Sequence, residues 1–281
     1  MMSVYWSRLI TVSLIAVISA CELLAQGSQS ADPCAITLPS NLTLDEPAPQ
    51  TYRLTTIWYN RDVHGKATGK YIISGVYTRG LPGDTVRWNN IEIEVFGGPM
   101  QEHSDTLMFP ALEGLSYRSP DDLISPGLFA AFPADESQHL LKTLVWDAIA
   151  FETFSWNCFD QLKLNQPIRA ADLEGTAIDM AGWGTIKMQN LELTWTGVTE
   201  LNGRKCATIT YQSFVNPVKS NPFSSQANGR SLYWGSLYVS LLDKQIEFAT
   251  MNEDIVMEIK SNPEFGVRTI NIQREVRFER N

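Results

Sequence analysis

Residues 245–260, QIEFATMNEDIVMEIK, and 267–279, VRTINIQREVRFE, read as the two strands of one antiparallel hairpin. Setting Ile255 opposite Ile272 brings Met257 opposite Ile270, and all four then share a face. The same register sets Glu253 opposite Arg274 and Glu247 opposite Arg280, so two cross-strand pairs of opposite charge follow from the apolar alignment alone. The other face of the last strand reads Thr269, Asn271, Gln273, Glu275 and Arg277 and must meet water. One dry face and one wet face is the signature of an antiparallel sheet.

The preceding strand, 230–242, joins this hairpin through Asp243-Lys244. A tight two-residue turn there places Trp234 opposite Glu253 and Tyr238 opposite Ala249. Three neighbouring strands then present Trp234, Glu253 and Arg274 side by side, with Tyr238, Met251 and Met257 on the same face. This is a charged pair in an apolar wall, and Ser236, Ser240 and Ala249 leave space beside it. Two readings compete: a structural ion pair whose members offset each other's desolvation, or a ligand site in which Arg274 meets the anionic or carbonyl end of a molecule lying against Trp234 and the methionines.

Further upstream, 190–200 and 204–214 form a hairpin around Asn202-Gly203. A strict two-residue turn sets Leu193 and Trp195 on the face of Thr208 and Thr210, against the apolar alternation. A three-residue loop with Gly203 left-handed and a bulge instead pairs Trp195 with Ile209, Leu193 with Tyr211 and Glu200 with Arg204. A weaker strand is expected at 184–188, and a long loop at 215–229, with two Pro and three Ser. Strand-like runs also occupy 52–59, 70–79 and 85–96, with turns at His64-Gly65 and Pro82-Gly83-Asp84; in the third, Ile91, Ile93 and Val95 alternate with Glu92 and Glu94. Between the two strand blocks, Ser119-Pro120-Asp121-Asp122 marks the start of a short helix. Leu140, Leu141, Leu144, Val145, Ala148 and Phe151 recur at helical spacing over about 136–154. The aromatic end of that helix, with Trp146, Phe151, Phe154 and Trp156, is expected to dock on the sheet as core.

The first twenty-one residues carry Arg8, an apolar run from Leu9 to Ala20 and then Cys21, the layout of an export signal. Ile18-Ser19-Ala20-Cys21 resembles the lipobox of bacterial lipoproteins, which makes Cys21 a lipidation site; cleavage after Ala25 is the alternative. Residues 21–51, rich in Ser, Pro, Asp and Gln, read as a tether, and 52–281 as a single β-rich domain with a helical insertion at about 119–160. The expected location is the cell envelope or periplasm, with membrane contact only through the lipid anchor, or secretion if Cys21 is unmodified. A formal charge of −9 argues against nucleic acid as a partner. Of the remaining cysteines, Cys34, Cys158 and Cys206, one bridge and one free thiol is the plain reading; Cys34 with Cys158 is the pairing expected, because Cys206 falls within a strand.

The chain contains no Gly-x-Ser-x-Gly, His-Glu-x-x-His, Cys-x-x-Cys or dinucleotide fingerprint. His64, His103 and His139 have no partner at metal-ligand spacing, so neither metal nor cofactor is expected. Gly65 to Lys70 is one residue short of a phosphate loop and reads as a hairpin tip. Asp147, Glu152 and Asp160, near the aromatic helix end, are the carboxylates that a glycoside-cleaving site would use.

Export signal, tether, two blocks of antiparallel strands and intervening helices together resemble the periplasmic lipoprotein-carrier and lipoprotein-receptor proteins. The resemblance covers most of the chain at the level of element order and rests on no specific motif, so no functional residue is carried over. The chain is longer than typical members, and its helices fall between strand blocks. The resemblance implies a mainly-β (α+β) fold: a curved antiparallel sheet or half-barrel closed by helices. It also implies a non-catalytic envelope protein binding a lipid or other amphiphile between sheet and helix. An envelope scaffold with a packed interior and a secreted carbohydrate-active enzyme are the alternatives.

Overall fold

The computed structural model describes residues 37–39, 42–46, 48–98, 104–108, 113–119, 139–179, 184–220, 226–260 and 266–281. The chain divides into two units, Met1–Thr37 and Leu38–Asn281. All elements below belong to the second; the export signal, Cys21, Cys34 and residues 120–138, with the short helix expected there, lie outside the described residues.

The first strand block comprises β1 (Gln50–Arg61), β2 (Ala67–Leu81), β3 (Thr85–Phe96), β4 (Ser104–Met108) and β5 (Ser116–Arg118). Helix α1 (His139–Trp156) follows, then 3₁₀ turns at Phe159–Gln161 and Ala171–Leu173 around β6 (Ile168–Arg169). The second block is β7 (Ala177–Asp179), β8 (Gly184–Lys187), β9 (Glu192–Leu201), β10 (Arg204–Ser220), β11 (Gln226–Ser240), β12 (Ile246–Lys260) and β13 (Val267–Arg280). These strands make one 13-stranded antiparallel sheet in the order β4-β3-β2-β1-β13-β12-β11-β10-β8-β7, with β5 on β3, β9 on β10 and β6 on β9. The two sequence blocks join where β1 pairs with β13, so the last strand closes onto the first of the sheet. The fold is therefore mainly β, with one α-helix between strand blocks among the described residues.

Period-2 alternation decides which face α1 covers. Leu54, Ile73, Tyr77, Ile209, Leu237, Ala249, Met251, Val276 and Phe278 are all buried on the inner face. The β12–β13 ladder has the expected register: Ile255 pairs with Ile272, Met257 with Ile270 and Glu253 with Arg274. The second expected charge pair also forms, Arg280 Nη1 reaching Glu247 Oε1 at 2.5 Å.

The β11–β12 register differs from expectation by one residue. Tyr233, not Trp234, pairs with Glu253, and Tyr238 pairs with Phe248. The connection is longer than a two-residue turn: Ser240 N donates to Gln245 O, Lys244 takes φ +58°, and the ladder shifts between Tyr238 and Val239. A slip of one turns every side chain to the other face. Trp234 and Tyr238 accordingly lie on the outer face, where Trp234 is 37% exposed. Tyr233 and Leu237 take the inner positions.

Around Asn202-Gly203 the structure combines the two turns that sequence reasoning set against each other. Leu201 pairs with Arg204 across a two-residue turn with φ of +52° and +74°, the type I′ geometry. The bulge sits six residues away, at Thr196-Gly197, and restores Trp195 to Ile209 and Leu193 to Tyr211. Glu200 consequently faces Lys205 rather than Arg204. The loop expected over 215–229 is mostly strand. β10 continues to Ser220 through a bulge at Ser213–Asn216. There the buried Asn216 side chain replaces ladder bonds, accepting from Gln189 N (2.9 Å) and donating to Ser231 O (3.1 Å).

Two other expectations are corrected. Residues 42–46 are docked rather than part of a free tether: Gln245 Nε2 donates to Asp45 O at 2.9 Å, and Glu46 pairs with Arg79. Cys158 and Cys206 are both buried free thiols, so the bridge to Cys158 is not formed.

Gly235 lets a side chain of β10 reach across β11 to β12. Tyr211 Oη passes over it to donate to Thr250 O at 2.8 Å. A Cβ at 235 would stand 1.9 Å from Thr250 O and 2.7 Å from Tyr211 Oη. Gly235→Ala is expected to cost about 2 kcal/mol or more in urea unfolding, by overpacking; a loss within the scatter of surface substitutions would contradict this crossing.

Candidate functional site

Helix α1 is enclosed nearly all round, and its buried face carries two acids among its apolar residues. Asp147 falls between Leu144, Ala148 and Phe151 at helical spacing, and Glu152 follows Ala148 by one turn. A carboxylate in such a stripe needs a cation from whatever it packs on. The sheet supplies one arginine for each.

Arg274, on β13, answers Asp147. Its Nη2 lies 2.6 Å from Asp147 Oδ1, and its Nη1 lies 2.5 Å from Glu253 Oε2. The indole of Trp58, on β1, faces the guanidinium at 4.9 Å. Thr56 Oγ1 donates to Asp147 Oδ2 (3.0 Å) and Ser231 Oγ to Glu253 Oε1 (2.5 Å). Asp147 and Glu253 have no exposed side-chain surface, and Arg274 has 4%. Phe151 stacks on Phe278 and Phe154 on Tyr233, sealing the node within aromatic rings. One cation between two buried carboxylates leaves an excess negative charge. Burial pushes Asp147 up to about 6, with Arg274 opposing and Glu253 adding to the rise. Burial disfavours the charged guanidinium as well, but the two carboxylates prevail and hold Arg274 above its ordinary value.

Arg79, on β2, answers Glu152. Tyr77 Oη donates to Glu152 Oε1 at 2.8 Å, and Arg79 Nε donates to Glu46. Arg79 Nη1 forms an ion pair with Glu152 Oε1 at 2.7 Å. Trp156 lies over the guanidinium at 4.3 Å, its own Nε1 donating to Lys244 O. Burial raises Glu152, against the pull of Arg79 and of the Tyr77 hydroxyl. This second node opens on a cleft of about 280 Å³ between α1, the end of β2 and residues 44–46.

Of the residues that the sequence grouped as a site, Glu253, Arg274, Met251 and Met257 share the inner face, and Trp234 and Tyr238 do not. Asp147, Tyr233, Trp58 and Ser231 complete the node in their place. Asp147, Glu152 and Asp160 do not form one carboxylate group: the first meets Arg274, the second Arg79, and the third lies 3.5 Å from Lys244 Nζ. Among the described residues no three His, Cys, Asp or Glu side chains are placed to hold a metal ion, and no helix is long and apolar enough to cross a membrane.

Past the Arg274 row the inner face continues as an apolar strip. Ile272 opposite Ile255, Ile270 opposite Met257, and Ile259 extend it toward the strand ends. Ile255 and Met257 are buried, while Ile259, Ile270 and Ile272 are half-buried. The helix contacts described above all lie at or before the Arg274 row.

No protein-family model matches the chain, and no curated protein matches it in sequence. Among solved structures, it is similar to lipovitellin, from a study of lipid–protein interactions, with 10% identity and a TM-score of 0.38 over 83% of this chain. The chain spans 25% of that protein's length. A DUF1329 family protein from Desulfovibrio piger matches at 10% identity and a TM-score of 0.11, over 83% of this chain and 85% of the other. Neither likeness assigns this chain a family or a ligand.

Proposed function

We propose that this protein is a non-catalytic binding protein that takes the apolar part of an amphiphile on the inner face of its sheet. The observation that carries the reading is the apolar strip of Ile255, Met257, Ile259, Ile270 and Ile272, which runs from the charged row to Arg268, opposite Ile259, and is half-buried along β13. Such a surface loses free energy to water that an alkyl chain recovers, at about 25 cal/mol per Å² covered. Arg274 is not the ligand's counter-ion in this arrangement, because two carboxylates already occupy it. Its role is to hold α1 at the head of the strip. Export and anchoring through Cys21 are part of the same proposal, since they bring the strip to a lipid surface.

The test is binding of N-phenylnaphthylamine, a neutral apolar fluorophore, followed by displacement with a lysophospholipid. Wild-type protein is expected to enhance the fluorescence saturably and to release the probe. Ile272→Lys, which sets an ammonium in the strip, should weaken binding at least about tenfold, equivalent to 1.4 kcal/mol. Unsaturable enhancement, or equal affinity in a folded Ile272→Lys variant, would remove the proposal.

A further inference from the structure

On the outer face of β10 and β11 the sheet carries an apolar group that the rest of the protein leaves uncovered. The bulge at Ser213–Asn216 puts two residues, Phe214 and Val215, opposite Leu232 alone. Phe214 is 43% exposed and Val215 54%, and Trp234, two residues along β11 from Leu232, turns to the same side. Val215 takes φ +64°, where a β-branched side chain is crowded. The other non-glycine residues in that region, among the described ones, are Asn, Asp and Lys. The bulge itself serves Asn216, whose side chain bonds Gln189 and Ser231. That service does not require a valine, because glycine or asparagine takes the same backbone with less strain. A strained and exposed valine gains contacts only when another surface covers it.

The charges around this group limit what the covering surface can be. Arg230 stands opposite Pro217, Lys219 follows two residues further along β10, and Lys187 alternates with the buried Ile186 that pairs with Val218. All three cations are exposed, and none has a carboxylate partner among the described residues. The acids of this face lie to one side of them: Asp254 and Glu258 belong to β12, and Glu192, on β9, is bonded by the Gln212 amide. Cations therefore gather on β8, β10 and β11, toward the β7 end of the sheet order, in a chain of formal charge −9. Two copies meeting through this patch would set cations against cations, since a two-fold contact brings the same surface to both sides. Aromatic and aliphatic side chains rimmed by Lys and Arg instead match the boundary between acyl chains and anionic headgroups.

We propose that this outer-face patch docks the protein on an anionic lipid surface, with Phe214, Val215 and Trp234 entering the acyl boundary and Lys187, Lys219 and Arg230 meeting the headgroup phosphates. The contact is independent of amphiphile binding on the inner face and of acylation at Cys21.

Co-flotation of the exported chain, made without an acyl group, with vesicles of phosphatidylcholine and phosphatidylglycerol in equal parts tests this. Binding is expected, and it should fall at least about tenfold on phosphatidylcholine alone. Brominated acyl chains should quench tryptophan fluorescence in the wild type and not in Trp234→Phe. Phe214→Ser combined with Trp234→Ser should weaken binding at least about tenfold. Val215→Gly should also weaken it while leaving the thermal midpoint unchanged or higher, an outcome that a purely structural bulge would not give. Ile272→Lys should bind vesicles like the wild type, and Phe214→Ser should take up N-phenylnaphthylamine like the wild type, so this contact and the inner-face reading fail separately. Absence of vesicle binding, equal binding to neutral vesicles, undiminished binding in the double variant, or a concentration-dependent dimer that the double variant abolishes would each overturn the proposal.

Discussion

Replacing Arg274 by Met is expected to lower unfolding stability by about 3–5 kcal/mol, the range for breaking a buried ion pair from one side. The methionine fills much of the volume, so the loss is electrostatic. Asp147 and Glu253 would remain buried with only Thr56 and Ser231 as partners, and the Trp58 ring would lose the cation above it. The sequence alone leaves open a milder outcome, in which Arg274 serves a ligand and its loss spares the fold; a buried cation with both carboxylates in contact argues against that. Combining Arg274→Met with Asp147→Asn and Glu253→Gln removes all three charges. The triple variant should recover a substantial part of the loss, because uncompensated charge, and not the missing side chain, is what destabilises the single variant. Urea midpoints of wild type, single and triple variants measure this. A single variant within 1 kcal/mol of wild type would show that the node does not hold α1 to the sheet.

The second large effect is on pH dependence. Asp147 is raised in the folded protein from 3.8 to about 6. The folded state therefore binds the proton more tightly than the unfolded chain. This contribution to stability is complete below the unfolded pKa and is lost as pH rises through about 6. Raising the carboxyl from 3.8 to about 6 corresponds to about 3 kcal/mol. Glu152, also raised by burial, acts in the same direction, while Asp243, held low by Ser240 and Arg204 despite its burial, opposes it. The Asp147 share is isolated by comparison with Asp147→Asn, which keeps the shape and cannot ionise. Between pH 4 and pH 8 the difference between wild type and variant should move by roughly 2–2.5 kcal/mol in favour of the variant, since part of the contribution is already lost at pH 4. Parallel pH profiles would show that Asp147 is not the group titrating in this range.

Much of the architecture could be read from alternation. Strands β12 and β13 combine an apolar face with two charge pairs set into it, so only one register satisfies both, and the Glu253–Arg274 contact follows. The β11 register depended instead on the length of a turn. Asp243-Lys244 has the look of a two-residue connection, but Gln245 is drawn out of the strand by Tyr52 Oη and by the carbonyl of Asp45. Those partners are far away in sequence, and no local signal announces them. The loop read at 215–229 failed for a related reason: Pro217 and the serines suggest irregular chain, while the Asn216 side chain supplies the bonds that let the strand continue. The missing member of the site had a signal. Asp147 stands among the apolar residues of the buried helix, as Glu152 does five residues later, and each position requires a buried cation opposite. Which arginine answers which acid is set by the sheet order, which joins β1 to β13 across the whole chain.

The central claim, an amphiphile held on the inner face, is tested most directly by native mass spectrometry of the detergent-free protein mixed with a lysophospholipid. The account predicts a one-to-one adduct in the wild type that is absent from a folded Ile272→Lys variant. No adduct, or a ladder of adducts that persists unchanged in the variant, would contradict it.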